Sequence, residues 1–505
     1  MTTRASRTRL LGVSAVAALA AAGVAGGSAA AAPATASTGS SATTVADGEG
    51  SFLVLAPQGK GTSKARDRVA AAGGTVVADY ARIGVLVARS TDAGFAERVR
   101  GAGVESVAST AGLGTLLDEE STTSVDAADV AAATGDPTGE PLYSLQWDMD
   151  AIDVPEAHAV TTGDADVTVG ILDSGISSSH PDLRDQIAYD QSVSCIGGVQ
   201  DTAEAAWNPT TSDHGTHVAG TVAAGLNGVG VTGVAPGVKV AAVKVVTDEG
   251  YIFPEAAVCG FMWAAEHGME VTNNSYYIDP WQFNCRNDER QRPVWQAVQR
   301  AIRYSSQQGV LNVASAGNAN VDLQHTFIDS GSPNDGSAPV EDRTINGACV
   351  VLPGQAPGVV TVSATGPTQQ KSYFSSYGQG QVDVTAPGGD ARFRSGGATS
   401  NAADAILSTT YNPATGANGY GYKQGTSMSS PHAAGVAALA ISAHPRLTPN
   451  ALASFLERTA TPLPCPDGVY NPTPALGDTY EATCTGGARN GFYGAGEVNA
   501  LAAVD

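Results

Sequence analysis

The sequence has 505 residues, of which 42% are hydrophobic and only 15% charged, with 60 glycines and a formal net charge of −22 at pH 7. A chain of that size and apolarity buries a large core; length alone would allow about three domains, but large α/β enzymes often exceed that prior as single units. The acidic balance excludes nucleic acid and anionic membranes as partners, since both repel a negative surface.

Residues 1–32 read as a secretory signal. Arg4, Arg7 and Arg9 form the basic region, residues 10–24 the apolar one, and Ala29 to Ala32 offer small-residue cleavage sites. The apolar part is too short and too rich in Ala and Gly to span a membrane, and no later run is long enough. No paired arginine marks the twin-arginine route. The product is therefore expected to be exported, extracellular and soluble. Residues 33–50 form a Ser/Thr/Ala/Gly linker.

A small α+β domain follows over 51–110. Its pattern predicts a strand at 52–56, a helix at 63–72 closed by Gly73-Gly74, strands at 75–80 and 84–88, a helix at 92–100 and a strand at 104–108. That order is ferredoxin-like. Residues 111–141 are a second linker, with Asp118-Glu119-Glu120 and an Ala/Thr/Asp-rich run.

Over 142–505, strand signals at 167–172, 238–246, 270–274, 310–314 and 359–363 alternate with helical ones at 214–224, 255–267, 293–306 and 427–442. Such alternation predicts an α/β fold, a doubly wound and mostly parallel sheet with helices on both faces. An amphipathic helix at 447–463, after Thr448-Pro449, ends the series.

Three stretches carry chemistry. Val167-Thr168-Val169-Gly170-Ile171-Leu172-Asp173 is a buried strand with an acid at its carboxyl end, where doubly wound sheets place their sites. His214-Gly215-Thr216-His217 opens a small-residue helix. Gly425-Thr426-Ser427-Met428-Ser429-Ser430-Pro431-His432 is a turn into another, with Ser427 at its N-terminus and Pro431 expected in the first turn. A serine hydroxyl needs an imidazole to take its proton, and the imidazole needs a carboxylate to fix its tautomer. A lone Asp could cap a helix and a lone His could sit in a core; three such residues in one order favour catalysis.

These stretches resemble the subtilisin family of serine peptidases, whose chain order is also Asp, His, Ser. The resemblance runs from about Trp147 to about Leu463 and includes Gly233-Val234-Ala235-Pro236, Ala242-Val243-Lys244-Val245, Ala316-Gly317-Asn318, Phe374-Ser375-Ser376 and Ala386-Pro387-Gly388. It implies that Asp173 orients, His214 is the general base and Ser427 attacks. Asn318 would supply the side-chain half of an oxyanion hole, and the Ser427 N–H the other half. His217 and His432 read as structural.

The resemblance also implies a substrate groove. A peptide would pair with backbone groups of Ser275 and of Gly250 to Ile252, with Ala316 and Gly317 alongside. Bulky Tyr276 and Tyr277 follow Ser275 where relatives carry small residues, so the primary pocket should be altered. Insertions at 280–292 and 319–351 should border the same groove.

By pattern and position, residues 51–110 are similar to the propeptides of these enzymes, which assist folding and then inhibit. The maturation cut then falls within 111–141. Residues 51–110 hold 8 basic and 5 acidic side chains, against 16 and 42 from residue 111 onward, so opposite charge would favour association. The resemblance further implies a calcium site from Asp182, Asn227 and the loop of Gly225, Val229 and Val231, although Tyr143 stands where relatives offer a polar N-terminal ligand. Catalysis itself calls for no cofactor.

The 6 cysteines form an even set in an exported chain, which favours disulfides. Cys465–Cys484 is the local choice and Cys285–Cys349 joins the two insertions flanking Asn318. Cys195–Cys259 remains by elimination, unless Cys259 is a buried free thiol in its helix. The sequence thus points to a secreted, self-inhibited serine endopeptidase acting on peptides or proteins. No heptad run demands assembly, so a monomer is expected. A narrow processing role is the alternative to a degradative one, and a catalytically silent, protease-shaped binding protein is the alternative from another class.

Overall fold

The computed structural model describes residues 50–110, 115–116, 123–125, 139–278, 281–332, 343–392 and 401–505. The expected signal segment, nearly all of the 33–50 linker and most of the 111–141 linker lie outside the described residues. No helix among the described residues is long and apolar enough to cross a membrane.

The N-terminal part comprises β1 (Gly50–Leu55), α1 (Ser63–Ala71), β2 (Thr75–Tyr80), β3 (Val85–Ser90), α2 (Phe95–Val99) and β4 (Ser106–Ser109). The strands form an antiparallel sheet in the order β2-β3-β1-β4. Two short strands follow, β5 (Thr115–Leu116) and β6 (Thr123–Ser124). Then come α3 (Trp147–Ala151), β7 (Thr168–Asp173), β8 (Val193–Ser194), α4 (His214–Ala223), β9 (Lys239–Lys244), β10 (Tyr251–Ile252), α5 (Pro254–Glu266), β11 (Val271–Asn274) and α6 (Arg292–Gln307). The chain continues through β12 (Leu311–Ser315), β13 (Val359–Thr365), β14 (Val384–Pro387), the hairpin β15 (Ile406–Asn412) and β16 (Ala417–Lys423), α7 (Thr426–Ala443) and α8 (Pro449–Thr459).

The main sheet has seven parallel strands in the order β14-β13-β12-β11-β7-β9-β8. Side chains alternate between its faces. Ile171, Val240, Ala242 and Val313 pack with α4 and α7 in one core cluster, while Leu172, Ala241, Val243 and Ala314 pack with α5 and α6 in another. Burial on both faces explains why these strands read as unbroken apolar runs. From β7 the chain reaches β9 on one side and β11 on the other, so Asp173 ends the strand where the order reverses.

The N-terminal sheet is likewise covered on both faces. Phe52, Val54, Leu86 and Ala88 meet Val69 of α1 and Phe95 of α2, and the intervening Leu53, Leu55, Val85 and Val87 join the cluster of α5 and α6. Polar contacts reinforce this seam. Arg300 of α6 donates to Ala56 O at 2.9 Å and pairs with Glu105 at 2.8 Å. Ser51 and Thr110 hydroxyls both donate to Glu255 Oε1, at 2.7 and 3.0 Å. The pair across the seam thus has its cation on the C-terminal side and its carboxylate on the N-terminal side, the reverse of the bulk charge balance. Apolar burial holds this contact together more than opposite net charge does.

All three expected disulfides form: Cys195–Cys259, Cys285–Cys349 and Cys465–Cys484. Among the described residues no cysteine is free, so the alternative of a buried Cys259 thiol falls. Strands β8 and β14 and the β15–β16 hairpin are additions that the sequence did not announce. The first two are only two and four residues long, and the hairpin's Thr, Tyr and Gly run lacks a clean alternation.

Candidate active site

Asp173 is fully buried at the end of β7, and its carboxylate accepts the Ser174 N–H at 2.7 Å. His214 opens α4 and its Nδ1–H donates to both Asp173 oxygens, at 2.9 and 3.0 Å. Gly215 makes this approach possible: a Cβ there would lie 2.4 Å from Gly175 O and 3.0 Å from Asp173 Cβ. His214 Nε2 is buried with no hydrogen-bond partner, as a base awaiting a proton donor would be. Ser427 Oγ instead donates to Ser275 O at 3.3 Å. The structure therefore forms the Asp–His half of the expected triad and holds the serine on another acceptor.

The first turn of α7 is built around Ser427. Pro431 lies in its second turn, a correction to the expected first, since the helix begins at Thr426. A proline there has no N–H to give to Ser427 O four residues earlier. Ser275 Oγ supplies that bond at 2.8 Å, and receives one from Asn273 Nδ2 at 2.9 Å. The same serine thus anchors both the carbonyl and the hydroxyl of Ser427.

Asn318 is oriented by Thr426, a residue that sequence reasoning passed over although it sits inside the motif. Its Oδ1 accepts the Thr426 N–H at 2.9 Å and the Thr426 hydroxyl at 2.8 Å, which fixes the amide plane and leaves Nδ2 on the other side. Gly425 has φ 150°, and a Cβ added there would press on Asn318 Nδ2 at 3.3 Å. His217 and His432 are structural, as expected. His217 Nε2 lies 3.1 Å from Ile406 O and from Gly421 O, tying α4 to the hairpin, and burial keeps its pKa well below the usual value. His432 pairs with Asp148 of α3 at 2.9 Å, both fully buried.

A cleft of about 590 Å³ opens over Ser427. Ser275, Tyr276, Tyr277, Gly250, Ile252, Gly317 and Asn318 line it, as anticipated. Ala316 does not; its N–H bonds Val362 O at 2.9 Å and its side chain is buried behind the sheet end. Tyr276 is buried, its hydroxyl donating to Asn274 Oδ1 at 3.1 Å, and Tyr277 leans on the cluster around the Cys285–Cys349 bridge. Gln282, Ala319 and Val351 bring both insertions to the rim. Asp248 and Glu249, which the sequence reading missed, put two carboxylates in a lining that holds no Lys or Arg among the described residues. On the rim, β10 pairs antiparallel with β5, Tyr251 opposite Leu116 and Ile252 opposite Thr115.

Away from the cleft, Asp182 accepts from Val231 N at 3.2 Å and from Asn227 Nδ2 at 3.3 Å, and its carbonyl accepts from Gly225 N at 3.0 Å. Val229 N donates to Asn227 Oδ1 at 2.9 Å. The polar N-terminal neighbour is Glu140, not the residue at 143: Glu140 Oε1 accepts Gly228 N at 2.8 Å, whereas the Tyr143 hydroxyl donates to Asp150 at 2.7 Å. Glu140 Oε2 is buried without a partner, and burial, with Glu140 nearby, pushes Asp182 up to about 6. Among the described residues no group of three or more His, Cys, Asp or Glu is placed to hold a metal.

A sequence profile described as "Subtilase family" matches residues 164–496, most of the chain. The chain belongs to the subtilase family of serine peptidases. Subtilisin DY of Bacillus licheniformis is 32% identical to this subtilase over 340 residues, covering 67% of it and 91% of the relative. Fervidolysin of Fervidobacterium pennivorans is 30% identical over 345 residues, covering 64% of this chain; the match spans only 41% of that relative's length. Among solved structures, the epidermin leader peptide processing serine protease of Staphylococcus aureus aligns with a TM-score of 0.64 at 21% identity, over 90% of this chain and 98% of that one. That likeness speaks to the fold.

One buried cation stands beside the Asn318 loop of this subtilase. Lys371 is fully buried, donates to Asn320 Oδ1 at 2.7 Å and to Ser372 O at 3.1 Å, and lies over the Tyr377 and Phe492 rings. Burial lowers its pKa to about 7, with Asp390 opposing. Between about pH 7 and the ordinary lysine range near ~10.4, the unfolded chain holds a proton that the folded chain has released. Stability therefore rises with pH across that window and this contribution is lost below it. In a Ser427→Ala background, urea midpoints from pH 6 to 10 are expected to climb, and Lys371→Met to flatten the climb by up to about 1.4 kcal/mol per pH unit. An unchanged slope would show that the proton is taken up elsewhere.

Proposed function

We propose that the chain is a secreted serine endopeptidase made as a self-inhibited precursor. The observation that carries this reading is that Ser427, at the head of α7, and the oriented Asn318 amide line one cleft, while Asp173 and His214 form a buried pair in the same domain. In the proposed reaction Ser427 Oγ leaves Ser275 O, passes its proton to His214 Nε2 and attacks the peptide carbonyl. The Ser427 N–H and Asn318 Nδ2 hold the oxyanion, helped by the positive end of the α7 dipole. His214 then gives the proton to the leaving amine, and water releases the acyl group by the same route.

In this reading residues 1–32 are the signal, 33–50 a linker, 51–110 the propeptide, 111–141 the segment that is cut and 142–505 the peptidase, working as a monomer without nucleic acid or membrane. Pairing of β5 with β10 supports inhibition, because the chain's own backbone takes the groove edge where a substrate strand would add. A narrow processing role is favoured over a degradative one by the insertions stapled at the rim and by the acidic lining.

A fluorescent phosphonate directed at active serines tests the reading against a silent binding protein. One label per mature chain is expected, lost in Ser427→Ala and suppressed by an excess of added fragment 51–125, which carries β5. A mature chain that takes no label is a binding module.

The chemistry around Asp182 fits a hard cation. The two buried carboxylates of Asp182 and Glu140, the latter with its orphaned Oε2, the Asn227 amide and the carbonyls of Gly225, Val229 and Val231 would supply oxygen ligands to calcium. Millimolar calcium is expected to raise the melting temperature of the Ser427→Ala chain by on the order of 5 °C. Chelation should reverse the rise and Glu140→Gln should blunt it; an identical transition with calcium and with chelator would dismiss the site.

A further inference from the structure

A second cleft, of about 600 Å³, adjoins the first, sharing Thr211 and Ser212 just before His214. Its walls are the β15–β16 hairpin and Asp213, together with Ser124 and Val125 of the chain's own linker. One edge of β16 is taken by β15 along its whole length. The other edge carries β6 in antiparallel register, Tyr422 opposite Thr123 and Gly421 opposite Ser124. Val125 N–H donates to Tyr420 O at 3.2 Å, and its side chain packs on the cluster of Leu142, Val231, Leu407 and Tyr422.

The same linker therefore adds a short strand to an edge strand at each cleft in sequence order, β5 on β10 and β6 on β16. Six residues separate Leu116 from Thr123, and their seven Cα steps reach at most about 25 Å. A strand edge binds extended peptide through its unpaired N–H and C=O groups, and an apolar patch beneath it sets which side chain docks.

We infer that the edge of β16 facing away from β15, with the apolar patch under Val125, is a second peptide-binding edge that holds the leaving side of an extended substrate, and that its first occupant is this linker. This rests on the reading of Ser427 as nucleophile. The acyl side lies on β10 and the amine side on β16, so the maturation bond falls between Leu116 and Thr123. Cleavage there consumes one water: Ser427 takes the acyl carbon as the C–N bond breaks, His214 delivers the proton to the new amine, and hydrolysis leaves a carboxylate and a free Ser427. An apolar, β-branched residue a few positions beyond the cut is what the patch selects.

The full-length chain tests this in two measurements. Hydrogen exchange on the Ser427→Ala precursor reads whether the edge is occupied: the Val125 amide should exchange at least about tenfold more slowly than in a free peptide of residues 118–130. Intact mass after refolding reads the cut: wild type should be cleaved between 116 and 123, and Val125→Pro, which removes the N–H and reshapes the anchor, should be cleaved at least about tenfold more slowly. A Val125 amide as fast as in the free peptide overturns the inference, as does Val125→Pro cleaved at the wild-type rate or a wild-type cut outside 116–123. If wild type stays whole or Ser427→Ala is cut, the nucleophile reading fails instead, and the exchange result still decides occupancy of the edge.

Discussion

A precursor carrying Ser427→Ala stays at full length when the wild-type chain loses its N-terminal part, and the mature variant hydrolyses peptides at least about 10⁴-fold more slowly. The size follows from chemistry. His214 Nε2 can accept a proton, but without the Ser427 hydroxyl no group remains to form the acyl intermediate. What survives is binding and the oxyanion donors, which by themselves give a small residual rate. Affinity for the 51–110 fragment should be unchanged, because that seam rests on Leu53, Leu55, Val85, Val87 and Arg300, far from the hydroxyl in the contact pattern. Intact mass of both precursors and kcat/KM on one peptide check the result. Equal loss of the N-terminal part from both chains would assign the cut to another protease, and equal kcat/KM would remove Ser427 from the chemistry.

Asn318→Ala is expected to lower kcat by about 10² to 10³ with little change in KM. The amide donor matters where charge develops, on the tetrahedral oxygen, and much less for the ground-state carbonyl. Because Oδ1 is held twice by Thr426, the Nδ2 donor is fixed in advance and needs no reorganisation during reaction. Asn318→Asp keeps those two acceptor contacts yet turns a carboxylate oxygen toward the oxyanion, so it should be slower still. A variant that loses KM and keeps kcat would make Asn318 a substrate-binding residue only.

Much of this architecture is legible in the residue order. The apolar run ending at Asp173 announces a doubly buried strand, because only a sheet covered on both faces tolerates it. Small residues after His214 and Ser427 announce helices packed closely on that sheet. Short elements escaped: β8 and β14 pair over a few residues, below what periodicity can register, and β16 mixes Gly and Tyr on a hairpin whose two edges serve different partners. Long-range polar choices escaped for a different reason. Glu140 reaches the loop of Asn227, 87 residues later in the chain by number, and Thr426 turns Asn318 from over a hundred residues away, and neither distance leaves a mark in local pattern.

The sequence by itself determined the family, the alternating α/β plan, the acid at the end of β7 that meets the His opening α4, the Ser at the head of α7 and the strand and helix pattern of the N-terminal sheet, because each is written in contiguous patterns of burial and turn chemistry. Tertiary structure alone decided that Ser275 completes the bond Pro431 cannot make, that Thr426 aims Asn318, that Ala316 turns away from the cleft, and that two short pieces of the linker pair with β10 and β16. Those outcomes depend on which backbone groups are left without partners once the helices and sheet have formed, and such a remainder exists only in the assembled fold.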